Sequence, residues 1–167
     1  SEIERFAPAL TALIAHPSAL SSDELMGLDA KRLGAVDVVI TSYGSLLRLP
    51  WIAKTRWRVA VLDEAQAIKN PGTKQARAAK AIAAGSRVAL TGTPVENRLS
   101  DLWSIFDFLN PGLLGTGKAF GRFTRRLEET GHFGPLRELT RPYLLLRLKT
   151  DKAVIAYLPD KTENTAR

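Results

Sequence analysis

Short apolar runs alternating with helical stretches set the rhythm of this chain. Val59-Ala60-Val61-Leu62 carries neither charge nor turn residue and stops at two adjacent carboxylates, Asp63 and Glu64. A run of that kind, bounded by polar residues, predicts a strand buried on both faces, as in parallel sheets. Val36-Asp37-Val38-Val39-Ile40-Thr41-Ser42-Tyr43 predicts another, with its β-branched run ending in the hydroxyls of Thr41 and Ser42. Val88-Ala89-Leu90 predicts a third, ending in the small polar turn Thr91-Gly92-Thr93-Pro94. Residues 10–16, with apolar Leu13-Ile14-Ala15, predict a fourth.

Between the strands the period changes to that of helices. Residues 1–6 read as the tail of a helix stopped near Pro8, and residues 17–34 as connection with one helical turn around 24–26. Ser42 or Ser45 can cap a helix through Leu46-Leu47, which Pro50 ends. After the turn Lys69-Asn70-Pro71-Gly72, a helix is predicted over 73–83. Ala76, Ala79 and Ala83 are on its sheet side, Ile82 lies beside them, and Gly85 is its C-cap. Lys74, Arg77 and Lys80 fall on its other faces and read as solvated. The stripe Leu102, Ile105, Phe106, Leu109 predicts a helix over 100–109, with Trp103 in the same packing and Asn110-Pro111-Gly112 as the stop. Residues 119–130 form a basic amphipathic helix, with Phe120, Phe123 and Leu127 inward and Arg122, Arg125 and Arg126 outward, ended by Gly131. Leu136 and Leu139 belong to a second short helix stopped by Pro142.

Strands alternating with helices predict an α/β domain with a parallel sheet. A length of 167 residues suits one core. Hydrophobic content of 45% and charged content of 25% are ordinary for a globular domain. No run approaches the ~18 apolar residues of a membrane span, and residues 1–16 carry no export-signal pattern. The absence of cysteine excludes disulfides and thiolate metal sites, and fits a reducing cytoplasm. The net charge of +7 is uneven: residues 1–40 hold three basic and six acidic side chains, residues 41–117 ten and five, residues 118–152 nine and four. A basic surface of this kind favours a polyanion, and serves equally for plain solubility.

Ligands of parallel sheets sit beyond the carboxyl ends of the strands, where Asp63 and Glu64 fall. Neighbouring strand residues point to opposite sides, so the two do not form a dyad sharing one proton. Different tasks suit them better: Asp63 to hold a magnesium ion, Glu64 to orient or deprotonate a water, as phosphoanhydride hydrolysis requires. Asp-Glu-Ala-Gln alone fits a strand end with solvated charges equally well. One false lead is discarded. Residues 112–119 have the spacing Gly-x4-Gly-Lys of a phosphate-binding loop, but Ala119 stands where a hydroxyl is needed and no strand precedes them.

Together, Asp63-Glu64-Ala65-Gln66 and Thr91-Gly92-Thr93-Pro94 resemble motifs II and III of superfamily-two helicase-like ATPases. Thr-Gly-Thr-Pro followed by Glu96-Asn97, and then Asp101-Leu102-Trp103 through Asn110-Pro111, is similar to the bacterial branch of the Swi/Snf family; DEAD-box RNA helicases usually carry Ser-Ala-Thr instead. The resemblance covers nearly the whole chain. It implies part of a first RecA-like lobe: motifs Ib, II and III over 1–117, a helical insertion and basic segment over 118–152, and the start of a linker to a second lobe over 153–167. The expected activity is DNA-dependent ATP hydrolysis coupled to movement on duplex DNA and remodelling of protein–DNA complexes. ATP and magnesium are the implied ligands, with Asp63 on the metal through water, Glu64 activating water and Gln66 beside them. Thr91, Gly92, Thr93 and Pro94 would couple the nucleotide to DNA. Thr41 and Ser42, at the family's motif Ib, and Lys69 are expected on the DNA side; Ser42 as a helix N-cap is an equally good local reading. The segment from Pro142 to Lys152 is similar to the junction into the second lobe, where Leu146 replaces the first Arg of the usual basic pair, so that only Arg147 and Lys149 carry over.

The resemblance places the ATP-binding loop (Walker A) upstream of residue 1 and the second RecA-like lobe, with its arginine finger, beyond residue 167. The isolated chain is therefore expected to be inactive, and unpaired strand edges are expected to promote self-association. A cytoplasmic, nucleoid-associated location follows from the same reading. Two rivals stand: a non-catalytic basic module that grips nucleic acid or a partner, and another superfamily-two helicase.

Overall fold

The computed structural model describes residues 2–92 and 99–145. In chain order it shows α1 (Glu2–Phe6), β1 (Ala12–Ile14), α2 (Ser22–Met26), α3 (Ala30–Gly34), β2 (Val38–Ile40), α4 (Tyr43–Leu46), α5 (Pro50–Lys54) and β3 (Arg56–Leu62). A 3-10 turn (Ala65–Ile68) follows, then α6 (Lys74–Lys80), β4 (Ala83–Ala89), α7 (Leu99–Leu109), α8 (Gly117–Thr130), α9 (Gly134–Thr140) and a 3-10 turn at Arg141–Tyr143. The chain divides into two compact units, residues 1–125 and 126–167.

In the first unit the strands form two parallel pairs. β1 runs beside β2, with Ala12 opposite Val38 and Ile14 opposite Ile40. β3 runs beside β4, with Val59 opposite Ser86 and Val61 opposite Val88. Parallel neighbours need a crossover. The segment holding α2 and α3 provides the first, and the 3-10 turn with α6 the second. A groove of about 570 Å³ separates the pairs, lined by Val38–Ser42 of the β2 side and Trp57–Asp63 of the β3 side. Among the described residues no ladder bridges it.

The strands are two-faced, which corrects the expectation of a β3 buried on both sides. Ala60 and Leu62 lie in the core, whereas Val59 and Val61 are 47% and 56% exposed. Paired residues of a ladder share a face, so Val88 is exposed with Val61, and Ile14 with Ile40. An uninterrupted apolar run thus conceals an alternation: both faces are hydrophobic, but only one is covered among the described residues. The covered face packs into one cluster with Ala15, Leu25, Leu28, Leu49, Ile52, Ile68, Ala76, Ala79 and Phe108.

Local chemistry explains the helices that the sequence reading missed or misplaced. Residues 17–34 are more structured than connection. Ser21 and Glu24 form a reciprocal capping box that starts α2, and the Asp29 side chain caps α3 by accepting from the Arg32 N–H. Pro50, expected to end a helix, begins α5 at a position where its missing N–H is harmless. α6 is capped by Thr73 and stops at Lys80; Ala83 already belongs to β4, and Gly85, expected as a C-cap, sits inside that strand. A Cβ on Gly85 would lie 3.2 Å from the Arg58 carbonyl, so the glycine permits close approach of the two strands.

Helix α7 ties the second strand pair together. Leu102, Ile105 and Phe106 are buried as its spacing predicts, and Phe108 and Ser104 are buried with them. The Ser104 hydroxyl donates to the Ile68 carbonyl at the end of the first 3-10 turn. Arg87 of β4 donates to the Phe108 and Ile82 carbonyls at 2.9 and 2.8 Å, satisfying acceptors near the ends of α7 and α6. Lys80, expected to be solvated, pairs with Asp107 at 2.8 Å and lies over the Trp103 ring at 4.6 Å. In α8, Phe120 is buried, but Phe123 stays 36% exposed against expectation; Gly131 ends the helix at φ +66°. In the second unit Leu127 and Leu136 are buried, while Leu139 is exposed.

Ser104→Ala leaves the Ile68 carbonyl buried without its partner, which is expected to destabilise the chain by about 1–3 kcal/mol. Urea unfolding of the variant beside wild type measures this; an unchanged midpoint would mean that the bond contributes nothing.

Candidate functional site

β3 delivers Asp63 and Glu64 to its carboxyl end, beside the carboxyl end of β4. The ladder continues on both sides of them: the Leu90 N–H donates to the Leu62 carbonyl at 2.8 Å, and the Ala65 N–H donates to the Leu90 carbonyl at 2.9 Å. The chain therefore turns sharply within two residues. Glu64 takes up the turn in the left-handed region, at φ 48° and ψ 52°, and is the one non-glycine residue with positive φ among those described. For a residue with a Cβ this conformation costs roughly 1–2 kcal/mol, and it persists only where neighbouring contacts enforce it.

Two hydrogen bonds enforce it here, both on the peptide that joins Asp63 to Glu64. Its N–H donates to Asp63 Oδ1 at 2.9 Å. Its carbonyl accepts from the Tyr43 hydroxyl, also at 2.9 Å, from the first residue of α4. Burial, and then the charges of Asp63 and Glu64, push the Tyr43 hydroxyl up to about 12. It stays protonated, and so remains a donor, where an ordinary tyrosine ionises.

Glu64 is the end of a short relay. Gln66 Nε2 donates to Glu64 Oε2. Thr91 Oγ1 donates to Gln66 Oε1 at 2.7 Å. A hydroxyl on one side of the amide and a carboxylate on the other settle which way Gln66 points. The turn after β4 is thereby connected through Gln66 to the second carboxylate. Both carboxylates are exposed, so they are open to a ligand or water arriving at the strand ends.

The expected site residues thus fall into groups. Glu64, Gln66 and Thr91 come together through their side chains, with Gly92 directly after Thr91 in the chain, and the Asp63 side chain meets the Glu64 N–H. Thr93 and Pro94, and likewise Arg147 and Lys149, lie outside the described residues. Thr41 donates its hydroxyl to the Ala15 carbonyl at 2.9 Å. Ser42 caps α4: its hydroxyl accepts from the Ser45 N–H at 3.2 Å and donates to Ser45 Oγ at 3.1 Å. Both hydroxyls are used within the fold. Lys69 is exposed at the end of the 3-10 turn. Tyr43 is the member that sequence reasoning passed over. Its signal was its position, three residues past the end of β2 and at the start of α4.

Among the described residues no group of three or more His, Asp or Glu could enclose a metal. Magnesium keeps several waters and takes one or two carboxylates together with substrate phosphates. Asp63 offers such a carboxylate at an exposed strand end. The loop at residues 112–119 does not imitate a phosphate-binding site. It follows α7 rather than a strand, Gly112 and Gly115 have φ +87° and +67°, and Trp103 Nε1 donates to the Gly115 carbonyl at 3.0 Å.

If the backbone at Glu64 is strained, glycine there should relieve it. Glu64→Gly removes the left-handed penalty and adds back unfolded-state freedom, so stability is expected to be unchanged or raised by up to about 1 kcal/mol. Thermal unfolding checks this; a clear loss of stability would show that the Glu64 side-chain bond outweighs the backbone strain.

The family model described as SNF2-related domain matches residues 1–167. The putative ATP-dependent helicase/translocase YwqA of Bacillus subtilis is 40% identical over 97% of this chain and 18% of its own length. The TATA-binding protein-associated factor MOT1 of Saccharomyces cerevisiae is 39% identical over 78% of this chain and 8% of its own length. Among solved structures, the Sulfolobus solfataricus SWI2/SNF2 ATPase core in complex with dsDNA superposes with a TM-score of 0.80 at 38% identity, over 95% of this chain and 33% of that one. The chain thus spans a third or less of these proteins. The parallel strands flanked by helices are those of a RecA-like lobe, and the chain belongs to the SNF2-related domain family, whose members here are ATP-dependent helicases and SWI2/SNF2 ATPases.

Proposed function

We propose that this chain is part of the first RecA-like lobe of a DNA-dependent ATPase that converts ATP hydrolysis into movement on duplex DNA and remodelling of protein–DNA complexes. The observation that carries the reading is the relay from Thr91 through Gln66 to Glu64, beside Asp63, at the carboxyl ends of two parallel strands. Glu64 orients and deprotonates the attacking water. Gln66 holds the Glu64 carboxylate in one position and connects it to the turn after β4. Asp63 is the residue that would hold magnesium through water, and the ion when bound neutralises charge on the ATP phosphates. Thr91 and Gly92, with Thr93 and Pro94, form the coupling segment.

On the DNA side, Lys69 supplies an exposed cation, and Arg147 and Lys149 add charge from the basic segment. Thr41 and Ser42 reach a phosphate only by exchanging the internal bonds described above, so their contacts form with DNA bound. The Sulfolobus ATPase core was solved in complex with dsDNA, which supports the duplex as partner. A second RecA-like lobe supplies the arginine finger, and the domain plan is a lobe over 1–117, an insertion over 118–152 and a linker over 153–167. The protein works at the nucleoid. Among the described residues no helix is long and apolar enough to cross a membrane.

Turnover tests the assignment. In the intact protein, Glu64→Gln is expected to lower DNA-stimulated ATP hydrolysis by at least about 10²-fold while ATP binding persists. This chain on its own is expected to show no turnover above that variant. Near-wild-type rates in the variant would favour the non-catalytic rival, and strand separation of a duplex by the intact protein would favour another superfamily-two helicase.

The groove between the strand pairs bears on the behaviour of the isolated chain. The facing edges of β2 and β3 and the exposed Ile40, Val59 and Val61 offer backbone and apolar partners to another strand. Self-association is the expected outcome. Sizing with light scattering checks it, and a sharp monomer peak at micromolar concentration would rule it out.

A further inference from the structure

The Tyr43 hydroxyl makes a bond between the carboxyl end of β3 and the element that follows β2. Across the groove no backbone ladder connects β2 to β3 among the described residues. Tyr43 starts α4 directly after the β2 strand end, where the Ser42 cap and the Thr41 bond to the Ala15 carbonyl fix the backbone. From that anchored position its hydroxyl reaches the Asp63 carbonyl. The peptide it holds is the one that must stay turned for Glu64 to remain left-handed.

The second bond on that peptide is made by Asp63 Oδ1, an atom of the very carboxylate that would face the metal and its waters. The bond from Tyr43 comes from another element and uses no group needed for chemistry. We propose that Tyr43 is a positioning residue for ATP hydrolysis, holding the Asp63–Glu64 peptide so that the second carboxylate keeps its aim on water. The inference rests on the reading of Glu64 as the water-activating group.

The test is Tyr43→Phe in the intact protein, which keeps the ring in the groove and removes only the hydroxyl. DNA-stimulated kcat is expected to fall on the order of 10- to 100-fold, the penalty of a misaimed catalytic group. KM for ATP and the half-saturating DNA concentration are expected to stay within about twofold, since the hydroxyl is committed to the Asp63 carbonyl. Thermal unfolding measured alongside separates aim from fold. An unchanged kcat, a rise in KM that accounts for the loss, or a variant that no longer folds would each overturn the proposal, the last by making Tyr43 a structural brace. Glu64→Gln in the same assay keeps the two readings apart. If it retains turnover, the assignment of Glu64 fails. If it is dead while Tyr43→Phe is fully active, only the role of Tyr43 fails.

Discussion

The peptide between Asp63 and Glu64 is held at both of its polar atoms, and much of the site depends on it. Its carbonyl is bound by Tyr43 and its N–H by Asp63 itself. With that unit fixed, the backbone can enter the left-handed region at Glu64 and leave again at Ala65, whose N–H returns to the β4 ladder. Two consecutive acids on an ordinary strand would simply point to opposite faces. The turn instead places the Glu64 carboxylate against Gln66, while Asp63 stays at the strand end. Strain of this size is tolerable because four separate hydrogen bonds surround it, two on the turned peptide and two from Leu90.

From that turn outward the architecture serves to keep the ends of β3 and β4 in register. Gly85 lets the strands approach, α7 covers them, and Ser104 and Arg87 anchor that helix to the neighbouring turns through backbone carbonyls. The Ser104 bond is buried and the Arg87 bonds are half-buried, and loss of the first leaves an acceptor without a partner in a medium that cannot replace it. Thr91 is placed by the same register, and the relay to Glu64 follows from it. The groove on the other side of β3 has no comparable fixings among the described residues, and Tyr43 spans it at the end that carries the carboxylates.

Much of this was legible in the residues. Among the described residues the apolar runs fell on β1, β2 and the end of β3 but on only the last two residues of β4, the stripe in α7 was correct at Leu102, Ile105 and Phe106, and Gly131 ends α8 as expected. The signature at Asp63, Glu64, Gln66 and Thr91 was found by its letters, and in the structure the Thr91, Gln66 and Glu64 side chains are hydrogen-bonded in a row. Where sequence reasoning slipped, the cause was local and identifiable. The Ser21–Glu24 capping box was present in the sequence but was passed over, so α2 was read as connection. Ala83 continued the helical spacing of α6, yet the chain had already turned into β4. Lys80 looked solvated because its partners, Asp107 and Trp103, lie more than twenty residues away.

The sequence by itself determined the class of fold, the family and the identity of the acids, because periodicity and motif spacing are local properties of the chain. The tertiary structure alone decided which face of β3 is covered, that Thr41 and Ser42 bond within the fold, and that Tyr43 reaches the Asp63 carbonyl. Each of these depends on the relative placement of elements distant in sequence. An apolar run has the same letters whether one face or two are packed, and a hydroxyl has the same letter whether it faces solvent, a cap or a carbonyl twenty residues away. Burial and hydrogen-bond partners become definite only when the strands and helices have closed on one another.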